Sequence, residues 1–439
     1  MTADEAVRGA PTRADHGDPT RQPHDATGLL TLLDAHPGIE FTADPLAAGL
    51  GIPVADVENG LLQPRARNRF VDLGAGRYRL RQVPRADIED GADRVVDPAQ
   101  QQAQHRMLTW YLRRTAAAGK ILDPFAPRVS PVFGALDRDT AMFDDTAAAV
   151  SWIEAEHANV VAAQHIARTR GWHELVYEFA EALWTPLWIT CRTAELAEIQ
   201  RIGADAAAHC GHRLEPVCRA RQASGESACG RHHDALATCT VAVERALALD
   251  DHWALAIAFA TRARINRKAG DIRAAQRDQC RALAINTTRC APRGQAQDHR
   301  RLGEIALDPA VDDPHLALTH LVRAAQLFRA TGDAVGHART VISMARARLR
   351  LRRSGTALTE LAGIEDVLSD YGAPGHLGDL AAVRAEAHTR LGNHTEAYRC
   401  YCVAAEHYAV AGPGAADALC LAIGSRDALR HRSRPGRAS

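Results

Sequence analysis

Residues 270–275 read GDIRAA, with an alanine five positions after the glycine of a turn. The same spacing of glycine and alanine occurs in residues 230–235 and 392–397. Two further alanines extend the series to Ala235, Ala275, Ala317, Ala357 and Ala397. Their intervals of 40, 42, 40 and 40 residues indicate an internal repeat in which two helices approach closely at a small side chain.

A second position of the repeat supports this interpretation. Seven residues after the first alanine, four of the five units again have alanine, at Ala242, Ala282, Ala324 and Ala404, whereas the fourth unit has Ile364. One and two periods before Ala235, Leu196 and His157 also lie within helical patterns. The array therefore extends to about seven helix pairs. HEAT-like repeats share the 40-residue period, but the glycine turn favours tetratricopeptide repeats, whose usual period is about 34 residues.

Residues 27–81 carry a different pattern. A helix over 27–36 is followed by Thr42 as an expected N-cap, a short helix ending at Gly51, and a helix over 53–63. Two β runs, 70–73 and 77–81, flank a glycine turn. Three helices and a hairpin predict a winged helix, so the fold class is all-α: a small winged helix followed by a tetratricopeptide-type α-solenoid.

These patterns divide the chain into five parts. We expect a disordered tail over 1–25, a winged-helix domain over 26–90, a helical connector and Pro-rich linker over 91–145, the repeat superhelix over 146–430, and a second disordered tail over 431–439. The connector includes a long helix from about Asp97 to Ala118.

Composition narrows the class of protein. The 439 residues include 53 Lys+Arg and 53 Asp+Glu, and this zero net charge excludes a globally basic nucleic-acid binder. The first 26 residues have no apolar core typical of a secretion signal, and no run of 18 apolar residues occurs. Ten cysteines without a secretion signal are most simply reduced thiols, so we expect a cytoplasmic protein without a membrane segment.

The winged helix offers one candidate nucleic-acid surface. Its second helix reads VADVEN over 54–59 and is acidic where a recognition helix meets phosphates. Five arginines on or near the wing are the expected DNA contacts if this domain binds DNA: Arg65, Arg67, Arg77, Arg79 and Arg81. The alternative, which we favour, is that the domain has a structural or docking role.

The concave face of the superhelix offers another candidate surface. The first helices of the pairs are basic there, with Arg262, Arg264, Arg267, Lys268, Arg300, Arg301, Arg346 and Arg350. Arginine forks bind carboxylates and phosphates, so an acidic protein partner or an anionic ligand is expected on this face. The alternative is that these arginines are solvated helix-surface residues.

Motifs for catalysis or cofactors do not stand out. No G-x-x-x-x-G-K-[ST], G-x-S-x-G or H-E-x-x-H occurs, and Gly119-Lys120 is followed by Ile121. Cysteines and histidines such as Cys210, His212 and Cys218 lack the paired spacing of a zinc site, so small buried thiols are the simpler interpretation. Acidic pairs at turns, such as 144–145, 250–251 and 312–313, are expected to cap helices. We expect neither metal nor cofactor.

Several segments resemble one family. The winged helix, MLTWYL at 107–112, AVSWIEAEHANVVAA at 149–163 and GWHEL at 171–175 are similar to the C-terminal half of actinobacterial STAND-type, SARP-like regulators. In these regulators an NB-ARC ATPase precedes a winged helix and tetratricopeptide repeats. Here Arg81-Gln82 stands where the family has a His-Asp pair that senses the nucleotide. The resemblance therefore implies a form that lacks the ATPase domain and has no ATPase activity.

These observations lead to three functional hypotheses. The first is a non-enzymatic regulator or adaptor that binds a protein partner through the concave repeat surface, in secondary metabolism or signalling. The resemblance adds a separate NB-ARC ATPase as a candidate partner. The second is a DNA-binding transcriptional regulator with a repeat sensor, and the third is a biosynthetic enzyme built on the repeat scaffold. The oligomeric state is left open.

Overall fold

The computed structural model describes residues 26–81, 97–136, 142–371, 374–411 and 421. The chain divides into two compact units, Met1–Leu108 and Thr109–Ser439. The expected disordered tails, 1–25 and 431–439, lie outside the described residues. Within the described ranges, no helix combines the length and the apolar character needed to cross a membrane.

The first unit contains short helices and a small sheet. The helices are α1 (Ala26–Asp34), α2 (Ala43–Leu50), α3 (Val54–Leu61) and α4 (Pro64–Arg67). The strands are β1 (Glu40–Phe41), β2 (Phe70–Gly74) and β3 (Arg77–Leu80), which pair antiparallel in the order β1-β3-β2. The helices and the hairpin therefore follow the order expected from the sequence. Strand β1 is an addition to that expectation, because two residues are too few to produce a recognisable strand pattern.

Aromatic packing joins the three strands of the sheet. The rings of Phe41, Phe70 and Tyr78 lie 5.1–5.9 Å apart, and Phe41 is fully buried. Gly51 ends α2 in the left-handed conformation, and its N–H donates to the Ala47 carbonyl, as a helix-ending glycine does. Thr42 is the N-cap residue of α2, as expected, with extended backbone, although its side chain makes no cap hydrogen bond.

The second unit consists of helices. Helix α5 (Pro98–Leu122) enters it, followed by α6 (Pro131–Leu136) and α7 (Thr146–Thr169). The array continues as α8 (His173–Ile189), α9 (Thr193–His209), α10 (Leu214–Ala228), α11 (His232–Ala248), α12 (His252–Lys268), α13 (Ile272–Thr288), α14 (Pro292–Ala306), α15 (Pro314–Ala330), α16 (Ala334–Arg350), α17 (Ser354–Leu361), α18 (Glu365–Tyr371), α19 (Pro374–Arg390) and α20 (His394–Ala411). This is an all-α solenoid of tetratricopeptide-like repeats.

The turns explain the period of the repeat. Most helices have 17 residues and are joined by three residues, the middle one with positive φ, as at Gly270 (87°) and Gly392 (76°). Two such helices with their turns span 40 residues. The 42-residue interval arises because α14 has 15 residues and the connection to α15 covers residues 307–313.

The alanines that marked the repeat lie where the helices meet. Ala235, Ala275, Ala317, Ala357 and Ala397 are all fully buried, and so are Ala242, Ala282, Ala324 and Ala404. This confirms the expectation of close helix contact, since a larger side chain has no space there. The exception, Ile364, falls where the outer helix of its unit is broken into α17 and α18.

The predicted aspartate caps are confirmed. Asp145 accepts a hydrogen bond from the Ala148 N–H, and Asp251 and Asp313 each accept two backbone N–H groups at the starts of α12 and α15. These bonds satisfy donors that lack partners within the first helical turn.

The superhelix also makes contact with itself over a long sequence distance. The Thr146 hydroxyl at the start of α7 donates to the Asp370 carbonyl in α18, at 2.9 Å. The segment 123–130 also makes long-range contacts, because the Arg293 guanidinium of α14 donates to an oxygen of Asp123 (2.9 Å) and to the Phe125 carbonyl (3.0 Å). The inner side of the array is therefore partly filled by the chain itself.

Candidate functional site: an arginine-lined cavity

A cavity of about 560 Å³ opens on the side formed by the first helix of each pair. Its wall comes from α12, α14, α16 and α19 and from the connection after α14. The charged residues of this wall are Arg267, Arg300, Glu304, Asp308, Arg339, Arg346, Arg350, Asp379 and Glu386, with His376 beside them. Few apolar side chains line it, so the cavity suits a charged ligand rather than an apolar one.

Glu304 lies at the centre of the guanidinium groups. Its carboxylate pairs with Arg300 one turn earlier on α14 and accepts a hydrogen bond from the Ser343 hydroxyl of α16 at 3.2 Å. The Arg267 guanidinium of α12 donates to the Glu304 carbonyl at 3.3 Å. Three helices therefore meet at one residue, because positions 267, 304 and 343 stand about one repeat apart.

The outer part of the wall is held by ion pairs. Arg346 binds Asp379 of α19 at 2.7 Å, and the Tyr408 hydroxyl donates to the same carboxylate at 3.0 Å. Arg350 binds Asp312 in the connection before α15 at 2.5 Å. These two ion pairs join neighbouring repeats and fix the orientation of the Arg346 and Arg350 guanidiniums.

The charges change the acidity of neighbouring groups. Burial would raise the pKa of Glu304, but arginines outweigh burial and lower it to about 2; in order of effect they are Arg300, Arg267, Arg339 and Arg346. Burial, followed by Arg339 and Arg300, lowers the pKa of His376 to about 2. The His376 imidazole is therefore neutral at physiological pH, and it stacks on the Tyr371 ring at 6.1 Å between centroids.

The arginines predicted from the sequence occupy several environments. Arg267, Arg300, Arg346 and Arg350 line the cavity as expected, whereas Lys268 is exposed at the end of α12. Arg264 is half-buried, donates to the Ser224 hydroxyl at 2.6 Å and lies over the Trp188 ring.

Arg262 was expected on the concave face but is not among the lining residues. It forms two bonds to Asp278 of α13, at 2.7 and 2.9 Å, within its own helix pair. Two residues along a helix differ by about 200° in direction, so Arg262 and Arg264 project to opposite sides.

Four residues of the site were not singled out from the sequence. Arg339, Glu304, His376 and Asp379 become neighbours through the packing of α14, α16 and α19. A sequence signal existed for two of them, because Arg339 stands seven residues before Arg346 and Glu304 stands four after Arg300. Both spacings place the residues on the same helix face.

A segment of the chain covers another part of the inner side. The backbone N–H groups of Val129 and Ser130 donate to the buried Glu181 carboxylate of α8, at 3.0 and 2.8 Å. Arg128 donates to the carbonyls of Gly119 and Asp123, at 2.6 and 2.7 Å. From the sequence, the prolines of 124–131 indicated only an irregular connection. In the structure this segment contacts Glu181 of α8 and Arg293 of α14, and so bridges the two helices.

The arginines of the first unit are partly neutralised. Arg79 binds Glu40 of β1 at 2.6 Å, and Arg77 lies 3.7 Å from the same carboxylate. Arg67 and Arg81 are exposed, while the side chain of Arg65 lies outside the described set. Helix α3, the expected recognition helix, carries the acidic Asp56 in its first turn.

The thiols divide into two groups. Cys218 and Cys239 are fully buried, as expected for small residues at helix contacts, and burial raises both pKa values to about 12. Other cysteines, including Cys210 and Cys229, are exposed, which corrects the expectation that these thiols fill buried positions. Among the described residues, no group of three or more His, Cys, Asp or Glu side chains is arranged to hold a metal ion.

Comparisons with known proteins give a limited result. No family model and no curated protein matches the chain. Among solved structures, the chain is similar to a signal transduction ATPase with numerous domains (STAND) with a tetratricopeptide repeat sensor from Pyrococcus horikoshii. The identity is 11% and the TM-score 0.40, over 93% of this chain and 64% of that one. This chain thus spans less than two thirds of the length of that protein.

Proposed function

We propose that this chain is a non-enzymatic regulatory or adaptor protein whose repeat superhelix binds an acidic segment of a protein partner at the arginine-lined cavity. The observation that carries the proposal is that Arg267 and Arg339, two of the five arginines on the wall, form no ion pair with an Asp or Glu among the described residues. A polar, open cavity with this charge attracts acidic groups and orients them by charge-assisted hydrogen bonds.

The remaining contacts support the position of the binding site. The segment 123–130 already lies across the inner side between α8 and α14, where Glu181 and Arg293 hold it. An incoming chain therefore meets the free wall between α12 and α19. The family resemblance suggests a separate NB-ARC ATPase as the partner, and regulation of secondary metabolism or signalling in an actinobacterium as the setting.

For the first unit we propose a winged helix with a docking role. Its α3 helix is acidic, and Glu40 binds two of the wing arginines, Arg77 and Arg79. Both features weaken the attraction to DNA phosphates.

The test is affinity purification of the tagged full chain from its native host, with and without nuclease. The variants are Arg339→Gln, which removes a cavity charge, and Arg277→Gln, which removes an exposed charge on the outer helix α13. We expect a stoichiometric partner that survives nuclease, is retained by Arg277→Gln and is lost with Arg339→Gln. A partner retained equally by both variants contradicts binding at the cavity, and enrichment that disappears with nuclease favours the DNA-binding alternative.

A further inference from the structure

Four guanidiniums around the cavity have no carboxylate partner. Among the residues that the structure describes, no Asp or Glu oxygen lies within 4.0 Å of a guanidinium nitrogen of Arg264, Arg267, Arg301 or Arg339. Arg264 and Arg267 reach only a hydroxyl and a carbonyl oxygen. A neutral acceptor satisfies a hydrogen bond but leaves the positive charge uncompensated.

The nearby carboxylates are already engaged. Glu304 is bound by Arg300 and Asp379 by Arg346. Asp298 lies near Arg301, but Gln279 and Asn286 donate to its oxygens at 2.7 Å, and burial raises its pKa to about 6. Glu304 and Asp298 offset part of this charge through space, but among the described residues neither forms an ion pair with Arg264, Arg267, Arg301 or Arg339.

These four arginines are also partly buried. Burial comes first and neighbouring guanidiniums follow among the causes that lower the pKa values of Arg301 and Arg339 to about 10. The same value applies to Arg264, where burial is again the largest cause. Burying like charges together is unfavourable unless an anion joins them. An anionic ligand bound among these arginines would therefore stabilise the folded protein.

We infer that the cavity binds a phosphate monoester dianion, held by the guanidiniums of Arg339 and Arg267 on its wall with Arg264 and Arg301 adding charge behind them. The inference rests on the proposed function and specifies the acidic group that is recognised. A dianion compensates two of the four free charges at one point, whereas a carboxylate compensates one. Phosphate oxygens also accept the paired N–H groups of arginine.

The volume admits more than the phosphate group itself. About 560 Å³ is within the range of sites for small ligands. The phosphate therefore comes either from a small phosphate ester or from a phosphorylated side chain of the partner. His376 is neutral, and its ring N–H can donate one further hydrogen bond to the phosphate.

Titration calorimetry of the purified full chain at about pH 7.5 and constant ionic strength tests the inference, because a phosphate monoester is mostly dianionic there. The probes are O-phosphoserine, glycerol 3-phosphate, a short peptide with one phosphoserine, its unphosphorylated form, and acetate. We expect the phosphorylated probes to bind at least about tenfold more tightly than acetate. A tighter phosphopeptide points to a phosphorylated partner, and equal affinities point to a small ester.

Four variants separate a binding role from a structural one. Arg339→Gln should weaken binding of the phosphorylated probes by about tenfold or more, Arg267→Gln serves as a second loss variant, and exposed Arg277→Gln should change nothing. Glu304→Gln should tighten binding, because Arg267 and Arg339 are among the arginines that act on the Glu304 carboxylate through space, and a neutral side chain would no longer compete with the phosphate for their charge. A purely structural role predicts no gain for Glu304→Gln.

The results also distinguish the inference from the proposed function. Unchanged affinity in both loss variants, or equal affinity for acetate and the phosphorylated probes, overturns the phosphate site. If the unphosphorylated peptide or a captured partner binds at the cavity while no phosphate probe does, the proposed function stands and this inference is wrong. Failure to capture a partner, with phosphate binding intact, refutes the protein-partner function instead.

Discussion

Replacing Glu304 by glutamine should destabilise the superhelix, although the two side chains have nearly the same shape. Glu304 is the carboxylate that Arg300 binds, and its side chain is only 21% exposed. Its pKa falls from 4.5 to about 2 because the surrounding arginines outweigh the effect of burial. At about 1.4 kcal/mol per pKa unit, ionised Glu304 contributes about 3 kcal/mol to the free energy of unfolding at neutral pH.

The dependence on pH gives this contribution a signature. The folded pKa is lower than the unfolded one, so the stabilisation is fully present above about pH 4.5 and is lost as the pH falls towards 2. The free energies of unfolding of the wild type and Glu304→Gln should therefore differ by about 3 kcal/mol at neutral pH. The difference should shrink between about pH 4.5 and 2, because protonated glutamate is as neutral as glutamine.

Urea unfolding followed by circular dichroism measures this difference. The matched control is Glu396→Gln, which removes a carboxylate paired with Arg399 on the surface of α20, where the side chain is 47% exposed. Such a pair contributes about 0.5 kcal/mol or less. Equal losses of stability in the two variants, or a difference for Glu304→Gln that persists unchanged at about pH 2, would refute the electrostatic explanation.

Three further changes test the packing, the caps and the thiols. Gly225→Ala should lower the free energy of unfolding by about 1–3 kcal/mol, measured by urea denaturation, because the new Cβ would lie 2.8 Å from the Thr193 carbonyl oxygen; an unchanged or increased stability would contradict this packing. Asp251→Ala should lower it by about 1–2 kcal/mol, because two backbone N–H groups of α12 lose their acceptor; no change in the same assay would argue against the cap. Cys218 and Cys239 should stay unlabelled by a thiol reagent in the folded protein, because burial raises both pKa values to about 12; fast labelling at either position would show that the helices around it open.

The periodic part of the fold could be read from the sequence because its causes are local. A buried alanine every 40 residues, a turn with positive φ and an aspartate before a helix each act within a few residues. Ala275 is therefore buried at a helix contact and Asp251 caps α12, both as predicted. The two-residue strand β1 did not appear in the sequence pattern, because it exists only through its pairing with β3.

The residue pattern was therefore enough to predict the repeat, its helical class and the basic character of the inner helices. Which arginines lack an ion pair depends on how the helices pack. Arg262 meets Asp278 across its own turn, while Arg339 faces other arginines, and nothing in the residues beside them distinguishes the two. A guanidinium is neutralised by a carboxylate that a neighbouring helix brings within a few ångströms, and that carboxylate lies well along the chain, 16 residues away for Arg262 and 33 for Arg346.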